Sequence, residues 1–142
     1  MLLNLPANLR DFTETFMLAL AIWREARGES PEAKRAVGWV IRNRVQRGGW
    51  FGTDYGAVIL KPAQFTCFTA GNPNAVRFPR FSDDSWRDSV EAAIDVLESI
   101  GGDPTMGATH YYDRRMDENP PAWAEHLAMT ADIGAFHFFR QA

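Results

Sequence analysis

Residues 22–45 read IWREARGESPEAKRAVGWVIRNRV, and this stretch joins two helices of different character through one tight turn. Upstream, Phe16 to Trp23 (FMLALAIW) is apolar on nearly every side. That helix should run from Asp11, whose spacing to Glu14 matches a capping-box-like pair, to about Arg27, with Gly28 stopping it. Ser30 followed by Pro31 reads as an N-cap with proline at the first helical position. Val37, Val40, Ile41 and Val45 then give the second helix one apolar face, ending at Gly48-Gly49. A buried helix handing over to an amphipathic one sets the expectation of a mainly helical domain.

The turn between them carries two glutamates. At 100° per residue, Glu25 falls on the side of the first helix that also holds Leu18, Ala21 and Ile22, while Phe12, Phe16, Leu20 and Trp23 form a second stripe. With both sides apolar the helix is central, so Glu25 belongs on the floor or wall of a cleft. Desolvation disfavours its anion, and the negative end of the helix dipole pushes the same way, so its pKa should rise. A carboxylic acid kept protonated near neutral pH is what donation to a glycosidic oxygen requires. The alternative is that Glu25 pairs with Arg24, Arg27 or a basic residue of the second helix. Glu29 lies at the positive end of the next helix, which should keep it ionised and favours a capping role over a second catalytic one.

Farther along, Asp54 to Leu60 suits one or two helical turns, after which PAQFTCFTAGNPNAVRFPRF (62–81) is crowded with proline, glycine and asparagine. Its aromatic residues argue for an ordered, functional loop. A third long helix should start from a cap at Ser82 or Asp83 and bury Trp86, Val90, Ala93, Ile94 and Leu97, with Gly101-Gly102 at its end. THYYD (109–113) and FHFF (136–139) are short enough to be strands and to pair as a small sheet. The expected fold class is α+β, mainly α with a minor β element, in one catalytic domain over residues 1–142.

Bulk properties narrow the chemistry. A chain of 142 residues with formal charge -3 and 46% hydrophobic content is an ordinary globular protein, with no sign of a nucleic-acid partner. No apolar run approaches the ~20 residues of a membrane span, and Asp11 and Glu14 precede FMLALAIW where a secretory signal would have basic residues. Neither membrane insertion nor a signal peptide is expected. Cys67 is the only cysteine, which excludes an intramolecular disulfide and suits a buried thiol.

Four separated pieces together resemble the SleB/CwlJ-type cell-wall hydrolases, the family of spore-cortex-lytic enzymes. WREARGESPEAKRAVGWVIRNRV is similar to the family's opening helix, glutamate turn and second helix, and KPAQFTC to its glutamine-phenylalanine-serine/threonine-cysteine segment. GDPTMGATHYYD resembles its aspartate-proline-threonine turn and aromatic strand, and IGAFHFF its closing strand. The order holds over about residues 13–140. The resemblance implies a lysozyme-like fold, a peptidoglycan glycan strand as partner, and cleavage of the β-1,4 bond between N-acetylmuramic acid and N-acetylglucosamine without a cofactor. It implies a lytic transglycosylase mechanism with one glutamate, carried over onto Glu25. A hydrolytic muramidase, an N-acetylmuramoyl-L-alanine amidase and a non-catalytic wall-binding protein are the alternatives. Without a leader or a separate wall-binding domain, the chain resembles compact phage endolysins, made in the cytoplasm and released by a holin or similar route.

The resemblance places the irregular segment along the cleft, where Gln64 and Thr66 can hydrogen-bond sugar hydroxyl and N-acetyl groups, or else stabilise the loop. Tyr111 and Tyr112 should alternate faces on a strand, and Tyr112 is the one expected to stack on a sugar or stabilise charge developing at C1. Trp50 and Phe51, beside glycines, are candidate rim aromatics. His110, His126, His137 and Cys67 offer zinc-ligand types, but their spacing matches neither a zinc finger nor HExxH, so no metal is expected. A cysteine-nucleophile hydrolase is the remaining enzyme reading.

Overall fold

The computed structural model describes residues 7–61, 64–68 and 70–141, without the side chains of Ala7 and Thr66. Four helices, α1 (Ala7–Ala26), α2 (Pro31–Arg47), α3 (Tyr55–Ile59) and α4 (Asp84–Leu97), are followed by strands β1 (His110–Asp113), β2 (Ala128–Ile133) and β3 (Phe136–Arg140). The mainly α architecture with a small sheet agrees with the sequence reading. Among the described residues, no helix is long and apolar enough to cross a membrane.

Helix α1 already includes Ala7, so Asp11 is not its cap; the Asp11 carbonyl instead accepts from Thr15 Oγ1 at 2.8 Å inside the helix. It ends at Ala26, where Glu29 N–H reaches the Ala26 carbonyl at 3.0 Å. Ser30 caps α2 as its position predicts, its Oγ accepting from Ala33 N–H at 3.2 Å, with Pro31 at the first position. Asp54 caps α3 through Ala57 N–H at 2.7 Å. Asp83 precedes α4, but its carboxylate turns back to accept from Arg80 N–H at 3.1 Å, tying the loop rather than the helix.

Two apolar clusters make the core. Leu18, Ile22 and Trp23 of α1 pack with Ile41, Ile59, Trp86 and Val96 from the other helices. Ala33, Val37 and Val40 of α2 pack with Phe136 and Phe138 of β3. Gly38 lets α2 approach closely, because a Cβ there would meet Val96 Cγ2 at 2.9 Å and Ile22 Cδ1 at 3.1 Å. On α4 the buried stripe is Trp86, Ser89, Ala92, Ala93 and Val96. Ile94, expected inside, is 40% exposed because the helix is rotated toward Ala93 and Val96.

The sheet runs β1-β3-β2, antiparallel throughout, with Tyr111 opposite Phe138 and Tyr112 opposite His137. THYYD and FHFF do pair, and β2 is an added strand that the aromatic pattern did not reveal. A turn through Gly134 at φ +55° joins β2 to β3 against the start of α2, where a Cβ would come within 2.9 Å of Ala33 Cβ. Tyr111 packs against both apolar clusters, so the seam between helices and sheet passes beneath it.

Candidate active site

Glu25 sits at that seam, in the last turn of α1, on the floor of a cleft of about 380 Å³. Arg44 of α2, Gln64 and Phe65 of the loop, and Tyr111 of β1 surround it, while Asp113, Arg115, Met116, Pro121 and Trp123 form the rim. The Cys67 thiol donates to Glu25 Oε1 at 3.4 Å, and the Tyr111 hydroxyl hydrogen-bonds the same carboxyl group. Burial pushes the Glu25 pKa above its ordinary value, and the bonds from Cys67 and Tyr111 and the charge of Arg44 oppose this only in part. The site therefore shifts the carboxyl group toward its protonated form while offering three groups that stabilise its anion.

The arginines of the turn explain why Cys67 reaches this position. Arg24, buried beside Glu25 in sequence but pointing away from it, donates to the carbonyls of Cys67 at 3.3 Å, Ala75 at 3.3 Å and Arg77 at 3.1 Å. Its guanidinium lies over the rings of Phe68 and Phe78. Arg27 Nη2 donates to Asn74 Oδ1 at 2.9 Å. Both arginines thus fasten the 65–78 loop to α1. Neither forms an ion pair with Glu25 among the described residues, so the alternative of a structural pairing reduces to Arg44.

Arg44 is 6% exposed, with Nε on the Thr109 carbonyl at 2.7 Å and its plane between Phe51 and Phe65, at 5.2 and 5.1 Å. Its Nη1 is buried without a hydrogen-bond partner among the described residues. The carboxyl group near enough to stabilise its charge, when ionised, is Glu25. The sequence contained a signal for this residue: it occupies the i+7 position after Val37 and i+3 after Ile41, a charge on the buried face of α2 that Lys34 shares at its other end. Tyr111, likewise, is the tyrosine bonded to Glu25.

Tyr112 also lines the cleft, but from the other face of β1, stacked on Phe139 at 5.5 Å with its hydroxyl bonded to Asp117. Beside it His137 lies between Asp117 and Asp132, its ring nitrogens 2.9 and 2.8 Å from their carboxylates. Gln64 lines the cleft, and the Thr66 side chain lies outside the described residues. Glu29 is not at the cleft: its Oε1 accepts from Ala135 N–H at 3.1 Å, joining the α1–α2 turn to the β2–β3 turn. Asp113, the other cleft carboxylate, is held below its usual pKa by Arg115, which contacts it at 3.1 and 2.9 Å. Burial and the neighbouring Glu25 raise the Cys67 pKa, so the thiol is a donor and not a thiolate nucleophile. Among the described residues no three His, Cys, Asp or Glu side chains cluster as metal ligands.

A family model described as Cell Wall Hydrolase matches residues 28–139. The chain belongs to the cell wall hydrolase family. The spore cortex-lytic enzyme of Halalkalibacterium halodurans is 33% identical over 110 residues, which is 78% of this chain and 30% of that enzyme. The chain thus spans under a third of this curated relative. The catalytic domain of Bacillus cereus SleB superposes with a TM-score of 0.72 at 26% identity, over 91% of each chain. The catalytic domain of the germination-specific lytic transglycosylase SleB from Bacillus anthracis gives 0.71 at 26%, over 96% of this chain and 98% of that one. The fold is therefore that of a cell wall hydrolase catalytic domain, lysozyme-like with a small sheet. The family match begins three residues after Glu25, so the case for Glu25 stands on its surroundings.

Proposed function

We propose that this cell wall hydrolase cleaves the β-1,4 bond between N-acetylmuramic acid and N-acetylglucosamine as a lytic transglycosylase, with Glu25 as both acid and base. The observation that carries the reading is the environment of Glu25, a carboxyl group raised in pKa by burial yet ringed by Cys67, Tyr111 and Arg44. In the first half-reaction Glu25 gives its proton to the glycosidic oxygen, the C1–O4 bond breaks, and positive charge develops at C1. The glutamate left behind is the anion that the three neighbours stabilise. In the second, the C6 hydroxyl of the muramic acid attacks C1, its proton returns to Glu25, and a 1,6-anhydro ring closes. Asp113 is engaged by Arg115, which favours a route needing no second carboxylate. On this reading the Gln64 amide and Tyr112, which line the cleft, hold sugar.

Mass spectrometry of muropeptides released from purified sacculi tests the reaction. Anhydro-muramic ends are expected. Reducing muramic ends would instead mean a hydrolytic muramidase, free stem peptides an amidase, and binding without soluble fragments a wall-binding protein. The physiological setting implied by the likeness to compact lysins, release of phage progeny, has a separate test: co-expression with a holin should lyse cells that expression alone leaves intact.

A further inference from the structure

Beside the cleft lies a second pocket of about 420 Å³, formed by the Gly48-Gly49 turn with Arg47, Trp50, Phe51, His110 and Gln141. Gly48 and Gly49 have φ of +65° and +57°, a left-handed reversal straight after α2 that turns Trp50 outward. The indole is 64% exposed, yet it is held: Lys61 Nζ lies 4.4 Å from its ring centroid, and Phe51 packs edge-on at 5.6 Å. The two depressions share a wall. Phe51 lies under the Arg44 guanidinium at 5.2 Å and meets His110 edge-on at 6.0 Å, and His110 packs on Trp123 at 4.9 Å. Arg44 and Trp123 line the cleft on the other side of that wall.

The residue types indicate the ligand class. A fixed, open aromatic plane suits the apolar face of a saccharide ring, and planar polar groups at its edge suit ring hydroxyl and N-acetyl groups. Arg47 and Gln141 are hydrogen-bonded to each other, which presents their remaining donors together. Thr109 Oγ1 sits 3.0 Å from His110 Nδ1 and fixes the ring. Burial, with help from Arg44 and Arg47, holds the His110 pKa at about 4, so the imidazole is neutral at working pH. A glycan strand is linear and must leave the cleft along the surface.

We propose that this pocket is a distal saccharide subsite, with Trp50 as its platform, taking a sugar of the same strand whose scissile bond lies over Glu25. The proposal rests on the glycan reading of the cleft, and two tryptophans allow the two to be judged apart. In the Glu25→Gln protein, which leaves the strand uncut, indole N–H resonances of Trp123 and Trp50 report on cleft and pocket respectively. The probes are glycan strands stripped of stem peptide, compared with the disaccharide and with free stem peptide. Long strands should shift both indoles and the disaccharide Trp123 alone. Trp50→Ala should weaken long-strand binding roughly tenfold without changing disaccharide affinity. Long strands that move Trp123 but leave Trp50 unmoved would overturn the subsite and spare the cleft. Movement of Trp50 by stem peptide alone would make the pocket a peptide site and also overturn it. If neither indole responds to glycan, both readings fall.

Discussion

At the floor of the cleft Glu25, Cys67, Tyr111 and Arg44 are packed among core side chains, whereas at its rim a half-buried Asp113 pairs with an Arg115 that lies in open solvent. The floor groups come from four separate parts of the chain and meet where the two apolar clusters join. The rim pair lies two residues apart, and the Arg115 side chain is 88% exposed. Charge costs more at the floor, because water is absent and each group must be answered by a specific partner. The same contact type therefore has unequal consequences in the two places. Substitutions at the floor should change chemistry, and those at the rim should change little.

The largest expected effect is at Glu25. Glu25→Gln keeps the shape and an acceptor for Tyr111 but removes the proton donor, so activity on sacculi should fall on the order of 10²–10⁴-fold. Stability should move the opposite way. A carboxyl group whose pKa is raised on folding takes up protons preferentially in the native state, so stability declines as pH rises from the unfolded pKa through the folded one. Above that window the penalty is constant, and glutamine abolishes it. Glu25→Gln should therefore melt higher than the parent at neutral pH and gain nothing well below pH 4.5, the ordinary value. Wild-type activity in a folded Glu25→Gln protein would remove Glu25 from the mechanism.

Next comes Arg44. Arg44→Met removes a buried cation whose charge lowers the Glu25 pKa, so the alkaline limb of the kcat/KM profile should move to higher pH. The post-transfer glutamate also loses stabilisation, and the maximal rate should fall roughly tenfold or more. Arg44→Lys keeps the charge and should restore the position of the limb, though not the stacking between Phe51 and Phe65. A limb that stays in place for Arg44→Met would show that the cation is structural only. Tyr111→Phe should be milder. It deletes one hydrogen bond to the carboxyl group while leaving the ring packed on Phe136 and Phe138, so a rate loss of about tenfold or less is expected, with the limb shifted in the same direction.

The difference between floor and rim also accounts for what could be read from the sequence. Ser30-Pro31, Asp54 and the two aromatic strands are local signals, carried by neighbours in the chain, and each appears where its pattern places it. Glu25 was legible because an apolar helix surrounds it on its own element. Cys67, Tyr111 and Arg44 were less so, since their roles arise only when the loop, β1 and α2 meet. The loop is brought there by Arg24 binding three carbonyls 43 to 53 residues away, a contact that no spacing rule encodes. Strand β2 escaped for a related reason: AMTADI lacks the aromatic run of its partners, and Met129 is 53% exposed, so the sheet pairing creates the strand more than its own side chains do.

The smallest effect should be at the rim, and it sharpens the comparison most because the geometry looks strong there. Arg115 contacts both Asp113 oxygens through its side chain and Oδ1 through its backbone N–H at 2.9 Å, as full a pairing as any in the molecule. Yet water screens the guanidinium, and the action of Cys67, Tyr111 and Arg44 on Glu25 does not depend on it. Arg115→Ala should leave the melting temperature unchanged within error and alter kcat less than about threefold, with any change confined to KM. The Asp113 carboxylate would then lose the partner that keeps its pKa low, so the acid limb is the place to look. A large fall in kcat for Arg115→Ala would mean that the rim takes part in bond cleavage, and that floor and rim act as one site.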